Sequence, residues 1–125
     1  MLLIATPVGE GVTGILLLLA PAVVLRLLIG IESAGDDLRL VARLAGAALV
    51  AIGLICGANR SEHRSAPAGL LPAILVYDIA AATLLAYAGL ALNRVGIALW
   101  PAVLLHAALA AWCIVCLASR LSRTP

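Results

Sequence analysis

Charge is scarce in this sequence. Asp, Glu, Lys and Arg together make up 11% of its 125 residues, against about 25% in a soluble domain. That scarcity excludes an ordinary soluble fold, because 65% of the residues are hydrophobic and a chain this short cannot hide so much apolar surface. The mean hydropathy of +1.20 agrees. Lysine is absent altogether. The eight basic residues are all arginine, scattered rather than clustered, and the net charge is only +2. No basic face is dense enough to follow a phosphate backbone, so nucleic acid is excluded as a partner. The first fourteen residues, "MLLIATPVGEGVTG", contain no basic residue; a secretory signal needs a positive start, so the first apolar run reads as a retained membrane helix. Phenylalanine is also absent, while alanine and leucine dominate, a pattern that matches a GC-rich bacterial genome.

What is present is long apolar runs. A membrane-crossing helix needs about 20 mostly apolar residues, and four stretches qualify, at about 8–31 (with an extension back toward residue 2 open), 38–57, 69–92 and 96–119. They are continuous and lack the alternation of an outer-membrane barrel, so helices are expected. The polar breaks "ESAGDD", "ANRSEHRSAPAG" and "LNRVG" are short, which makes neighbouring helices antiparallel. The expected fold is all-α: one integral membrane domain over 1–125, a four-helix up-down-up-down bundle. Asp36 or Asp37 is expected to cap the second helix, and Glu10 to sit near the positive end of the first. Pro21 is expected to kink the first span, while Pro101 falls in the first turn of the fourth, where its missing N–H costs little. Trp100 and Trp112 suit the two interfaces.

Orientation follows the arginines near span ends. Arg60, Arg64, Arg120 and Arg123 fall on the side of both termini, and Arg26, Arg39, Arg43 and Arg94 on the other. The first four lie clear of the spans, whereas Arg26 and Arg43 lie within apolar runs. Both termini are therefore expected in the cytoplasm, in a multi-pass protein of the bacterial inner membrane.

Three constellations could carry chemistry. The first is Cys113 and Cys116, one helical turn apart near the exit of the fourth span, with Cys56 near the exit of the second. Residues three apart on a helix are neighbours, so a dithiol is geometrically open. The reactive form of cysteine is the thiolate, and this uncharged, apolar setting does not favour it. Small packing residues are the expected reading. The second is Asp78 with His106. Counting about 1.5 Å per residue places both near mid-membrane on adjacent helices. An ionisable group there should face inward with a partner. A proton relay, a ligand contact and a metal site are open, as is a buried hydrogen bond that merely fixes helix register, with Tyr77 or Tyr87 added; two ligands are too few for a closed metal site. The third is Arg43, one turn beyond Arg39, suited to a lipid headgroup, to pairing with Glu32 or Asp36, or to plain snorkelling. Small residues at Ala42, Gly46, Gly53 and Gly57 mark a face for close helix packing.

Two resemblances bear on function. Cys-Ile-Val-Cys is similar to the dithiol of vitamin K epoxide reductases, which are also small four-helix membrane bundles. There the pair opens the last helix on the oxidising side; here it closes it, with no second pair of loop cysteines to relay electrons. The run "LLLAPAVVLRLLIG" followed by "VARLAGAALVAIGL" resembles the DoxX-like families of small bacterial membrane proteins, over nearly the whole chain. That resemblance implies a four-span bundle with Arg43 and Gly46 as landmarks. It also implies a membrane subunit linked to redox or sulfur metabolism, with a quinone- or thiol-linked partner. The expected function is an accessory subunit or small-ligand-binding bundle, with the bilayer and a membrane protein or a second copy as partners. The alternatives are a thiol–quinone oxidoreductase using Cys113 and Cys116, with quinone as its cofactor, and an oligomeric small transporter.

Overall fold

The structure is a computed structural model. It describes the backbone of residues 2–61 and 69–122 and the side chains of residues 8–58, 69–119 and 122. The chain is all-helical over this range, with five helices: α1 (Leu2–Leu19), α2 (Pro21–Ile29), α3 (Asp36–Ser61), α4 (Leu70–Leu90) and α5 (Leu99–Leu121). Three stretches, Asp36–Ala58, Leu70–Leu90 and Leu99–Ser119, are long and apolar enough to cross a membrane. Their outward faces carry large exposed apolar side chains such as Leu44, Val76 and Leu104, whereas Asp78 is fully buried. Lipid as solvent favours that distribution, since nothing polar outside the protein is available to satisfy a carboxylate. Lone hydroxyls are handled locally: Thr83 Oγ1 donates to the Ile79 carbonyl at 2.7 Å and Ser119 Oγ to the Val115 carbonyl at 2.8 Å, each one turn back along its own helix.

The apolar run at 8–31 differs most from expectation. The break expected at Pro21 is there but far sharper than a kink, with a bend of 117° between Val8–Leu19 and Pro21–Ile29. Proline in a helix interior loses a hydrogen bond and its ring collides with the carbonyl four residues back. It also pushes the preceding residue out of the helical region. Ala20 accordingly adopts φ −135°, ψ 58°. The last bond of α1 is Ala20 N–H to Leu16 O at 2.8 Å, and Pro21 restarts the chain as the first residue of α2, where a missing N–H costs little. The nine-residue α2 stops at Gly30, whose left-handed φ of 68° lets its N–H bond the Arg26 carbonyl, a cap that glycine adopts without strain.

Two smaller expectations also shift. The helix α3 starts at Asp36, with the Gly35 carbonyl accepting from Arg39 N–H at 3.1 Å, so Asp36 and Asp37 occupy the first turn rather than the cap. They still face the positive end of the helix dipole. Glu10 is the ninth residue of α1, not a terminal one, and is buried; a capping role is thereby set aside.

The chain divides into two compact units, Met1–Arg64 and Ser65–Pro125. In the first, α1 and α3 pack so closely that a Cβ built on Gly14 would stand 2.7 Å from the Gly46 carbonyl oxygen, and one on Gly46 2.7 Å from that of Gly14. Gly14 also faces Val50 while Gly46 faces Leu17 and Leu18, so the two helices run antiparallel. Ala42 is buried on the same face, whereas a Cβ on Gly57 would meet nothing within 4 Å. The expected small-residue stripe therefore acts at its N-terminal end and not at Gly57. In the second unit, α4 and α5 are antiparallel too: Gly89 meets Leu99 and Trp100, and Asp78 meets His106 further along. Asn93 turns the corner at φ 50°, a conformation that asparagine tolerates better than most residues, and Arg94 N–H bonds the Ala88 carbonyl. Pro101 lies in the first turn of α5, as expected.

The side chains of Arg60 and Arg120, and the whole of Arg64 and Arg123, lie outside the described residues, as does most of the loop from which orientation was read.

Candidate functional site

Asp78 sits about 12 Å into α4 and His106 about 10 Å into α5, at 1.5 Å per residue. The antiparallel register of the two helices brings these depths together. His106 Nδ1 and Asp78 Oδ1 are 2.9 Å apart, with the Asp78 side chain fully buried and that of His106 12% exposed. Tyr77 packs edge-on against the His106 ring, with centroids 5.6 Å apart and planes at 83°. Edge-to-face contact of this kind is favourable between aromatic rings. Asp78 and Tyr77 are consecutive on α4, so one turn of helix presents both the carboxylate and the ring to the same histidine.

The second carboxylate oxygen gives the site its chemical character. Asp78 Oδ2 is buried and has no hydrogen-bond partner among the described groups. In every proton arrangement of the pair Oδ2 is left without a partner among the described groups. With a proton on His106 Nδ1, that nitrogen donates to Oδ1, and Oδ2 is an acceptor without a donor. With the shared proton on Oδ1, the acid donates to the imidazole, and Oδ2 is still an acceptor. Placing an additional proton on Oδ2 makes it a donor without an acceptor. A buried polar atom left in this condition costs about 1–3 kcal/mol. The atom is therefore disposed to form one further hydrogen bond with a group of matching polarity that enters the site.

Tyr87 is nine residues beyond Asp78 on α4, about 13 Å of helix, and is 57% exposed; it does not join the pair. Arg43 lies on α3 with its side chain exposed. The carboxylate of Asp36, one of its expected partners, goes instead to Arg39 at 3.6 Å, in an exposed pair of the kind that contributes little. Glu10, read from sequence as a cap, is the buried acid that sequence reasoning undervalued. Starting the first helix at Leu2 would have placed it about 12 Å into the span, and the depth argument applied to Asp78 would then have flagged it.

All three cysteines are present as thiols. Cys113 is buried and Cys116 and Cys56 are half-buried, which fits packing residues. Replacing Cys113 and Cys116 together by alanine is expected to cost no more than about 1 kcal/mol of stability and to leave helix content unchanged by circular dichroism. A disulfide in freshly purified protein, or collapse of the double variant, would favour the oxidoreductase reading instead.

Within the α4–α5 unit, Asp78 and His106 supply two of the usual metal-ligand types, short of the four that a closed centre requires. No protein-family model, curated protein or solved structure matches this chain.

Proposed function

We propose that the protein is a small multi-pass protein of the bacterial inner membrane, built as a four-span up-down bundle with both termini in the cytoplasm. In this reading it resembles the DoxX-like proteins and acts as a ligand-binding accessory subunit, with Asp78 and His106 as the polar centre of the site. The observation that supports this most is the buried Asp78 carboxylate, one oxygen held by His106 and the other lacking a partner among the described residues. A purely structural hydrogen bond would need only one oxygen, and a leucine would pack better in lipid. An acid retained at this depth costs about 2.5–3.5 kcal/mol on insertion scales, and a ligand that brings an O–H or N–H to Oδ2 offsets part of that cost when bound. Tyr77, packed edge-on against the His106 ring, puts an aromatic side chain next to the histidine of the pair. The thiol pair has no comparable support, since one member is buried.

The test is native mass spectrometry of the full chain purified from its own host in lipid nanodiscs. A bound small molecule or a stoichiometric membrane partner is the expected result; the bare chain alone, at every mildness of extraction, would overturn the reading. A fluorescent-protein fusion at the C-terminus is expected to glow while an alkaline phosphatase fusion stays inactive. The opposite pattern would place the termini in the periplasm.

A further inference from the structure

We infer that α2 is no part of a membrane crossing: it lies along the membrane interface as an in-plane helix, with Val23 and Leu27 dipping into the acyl boundary and Arg26 against anionic lipid headgroups. The inference rests on the membrane reading above and adds to it. Length comes first. The eighteen residues of α1 extend about 27 Å, close to the roughly 30 Å of a bilayer's hydrocarbon core. The chain has thus already crossed when it reaches Leu19. The nine residues of α2 add only about 13 Å, far short of a second crossing. Direction comes next. The 117° bend turns α2 somewhat past perpendicular to α1, so it runs sideways along the boundary rather than onward through it.

The faces of α2 agree with that placement. Pro21, Val24 and Leu25 are buried, at the i, i+3, i+4 spacing of one helical face, and α2 contacts both α1 and α3. Val23 and Leu27, one turn apart on the opposite face, are 56% and 44% exposed. Arg26 is exposed beside them. An apolar ridge flanked by an arginine, on a short helix lying across the end of a membrane span, is the arrangement that settles at a lipid interface. There the arginine's charge meets the anionic headgroups of the leaflet. In water the same ridge would be a penalty; in the middle of the core the arginine would be.

Depth measurement decides the matter. In a host with Cys56, Cys113 and Cys116 replaced by alanine, single cysteines at Ala22, Val23, Arg26, Leu27 and Ile29 are spin-labelled. The full chain is reconstituted into vesicles of phosphatidylcholine and phosphatidylglycerol, and collision with oxygen and with a water-soluble nickel complex gives each depth. Ala22 and Ile29 share a face seven residues apart. An in-plane helix puts them at nearly equal depth, whereas a crossing helix separates them by close to 10 Å. Val23 and Leu27 are expected at equal, shallow acyl depth and Arg26 nearer the phosphates. A separation near 10 Å, or fully aqueous labels at Val23 and Leu27, would overturn the inference. A label at Leu84 on α4 is the control. If it too reads aqueous, the membrane reading itself fails; if it reads deep, a failure at α2 is specific to α2. A second measurement uses otherwise native protein. Arg26→Gln is expected to lower the preference of bound spin-labelled phosphatidylglycerol over phosphatidylcholine by roughly fivefold, the effect of one arginine at a charged surface. An unchanged preference would remove Arg26 from the proposal.

Discussion

Gly46→Leu is expected to break the α1–α3 pair, while Gly57→Leu on the same helix leaves it standing. The contrast is large because the two glycines face different surroundings. A Cβ at position 46 would stand 2.7 Å from the Gly14 carbonyl oxygen and 2.8 Å from Leu17 Cβ; at position 57 it would meet nothing within 4 Å. Extra volume in a packed contact usually costs about 1–3 kcal/mol. At position 46 a leucine meets backbone, which cannot swing aside as a side-chain tip can, so a loss of about 3 kcal/mol or more is expected. Close backbone approach is also what holds membrane helices together, because lipid tails are as apolar as the helices and burying leucine gains little. Prising α1 from α3 therefore removes the main attraction and not only the room. Gly57→Leu is expected to stay within about 0.5 kcal/mol. In a host carrying Cys113→Ala and Cys116→Ala, Cys56 on α3 reports melting of this unit through a thiol-reactive dye. Equal melting curves for the two leucine variants would sink the packing argument.

Asp78→Asn is expected to leave the fold intact and, on the proposed function, to impair ligand binding. Asparagine keeps an oxygen that can accept from His106 Nδ1, so the α4–α5 contact survives. Interhelical hydrogen bonds in membranes are in any case worth only about 0.6 kcal/mol on average, and at most about 1.7. The Oδ2 position, however, becomes an NH2 donor where an acceptor stood. A ligand donating an O–H or N–H then faces another donor, and binding should weaken by about tenfold to a hundredfold, the cost of a buried polar group left without its hydrogen bond. Asp78→Ala is the contrasting variant. It removes the hydrogen bond between His106 Nδ1 and position 78 altogether and should cost about 1–3 kcal/mol of stability as well. Co-purified ligand measured by native mass spectrometry, set beside a melting curve, separates the two effects. If Asp78→Asn retained the ligand at wild-type occupancy, Asp78 would be a register pin and nothing more.

Much of this was legible in the residues. The scarcity of charge and the uninterrupted apolar runs pointed to helices and to four spans, because each backbone polar group in lipid must find its partner within the helix; the described residues are helical, and three of their helices are long and apolar enough to cross a membrane. Helix ends at α3, α4 and α5 fell within a few residues of where the polar breaks put them. Depth counting paired Asp78 with His106, since two antiparallel helices joined by a short turn share one register. Other features were out of reach. Pro21 announced a break, but a proline signals only that a hydrogen bond is missing; the 117° turn depends on Ala20 leaving the helical region entirely. Tyr77 and Tyr87 looked equivalent. Their faces differ by the rotation of the helix between them, and only the position of α5 decides which one meets His106. Gly46 and Gly57 belonged to one stripe in the sequence, yet α1 lies across the first and not the second. Composition and run length are summed along the chain, so the sequence alone determined helicity and the presence of helices apolar enough for a membrane. Which glycine is crowded, which tyrosine is near, and which carboxylate oxygen is left without a partner depend on where a second helix crosses the first, and only the tertiary structure decided those.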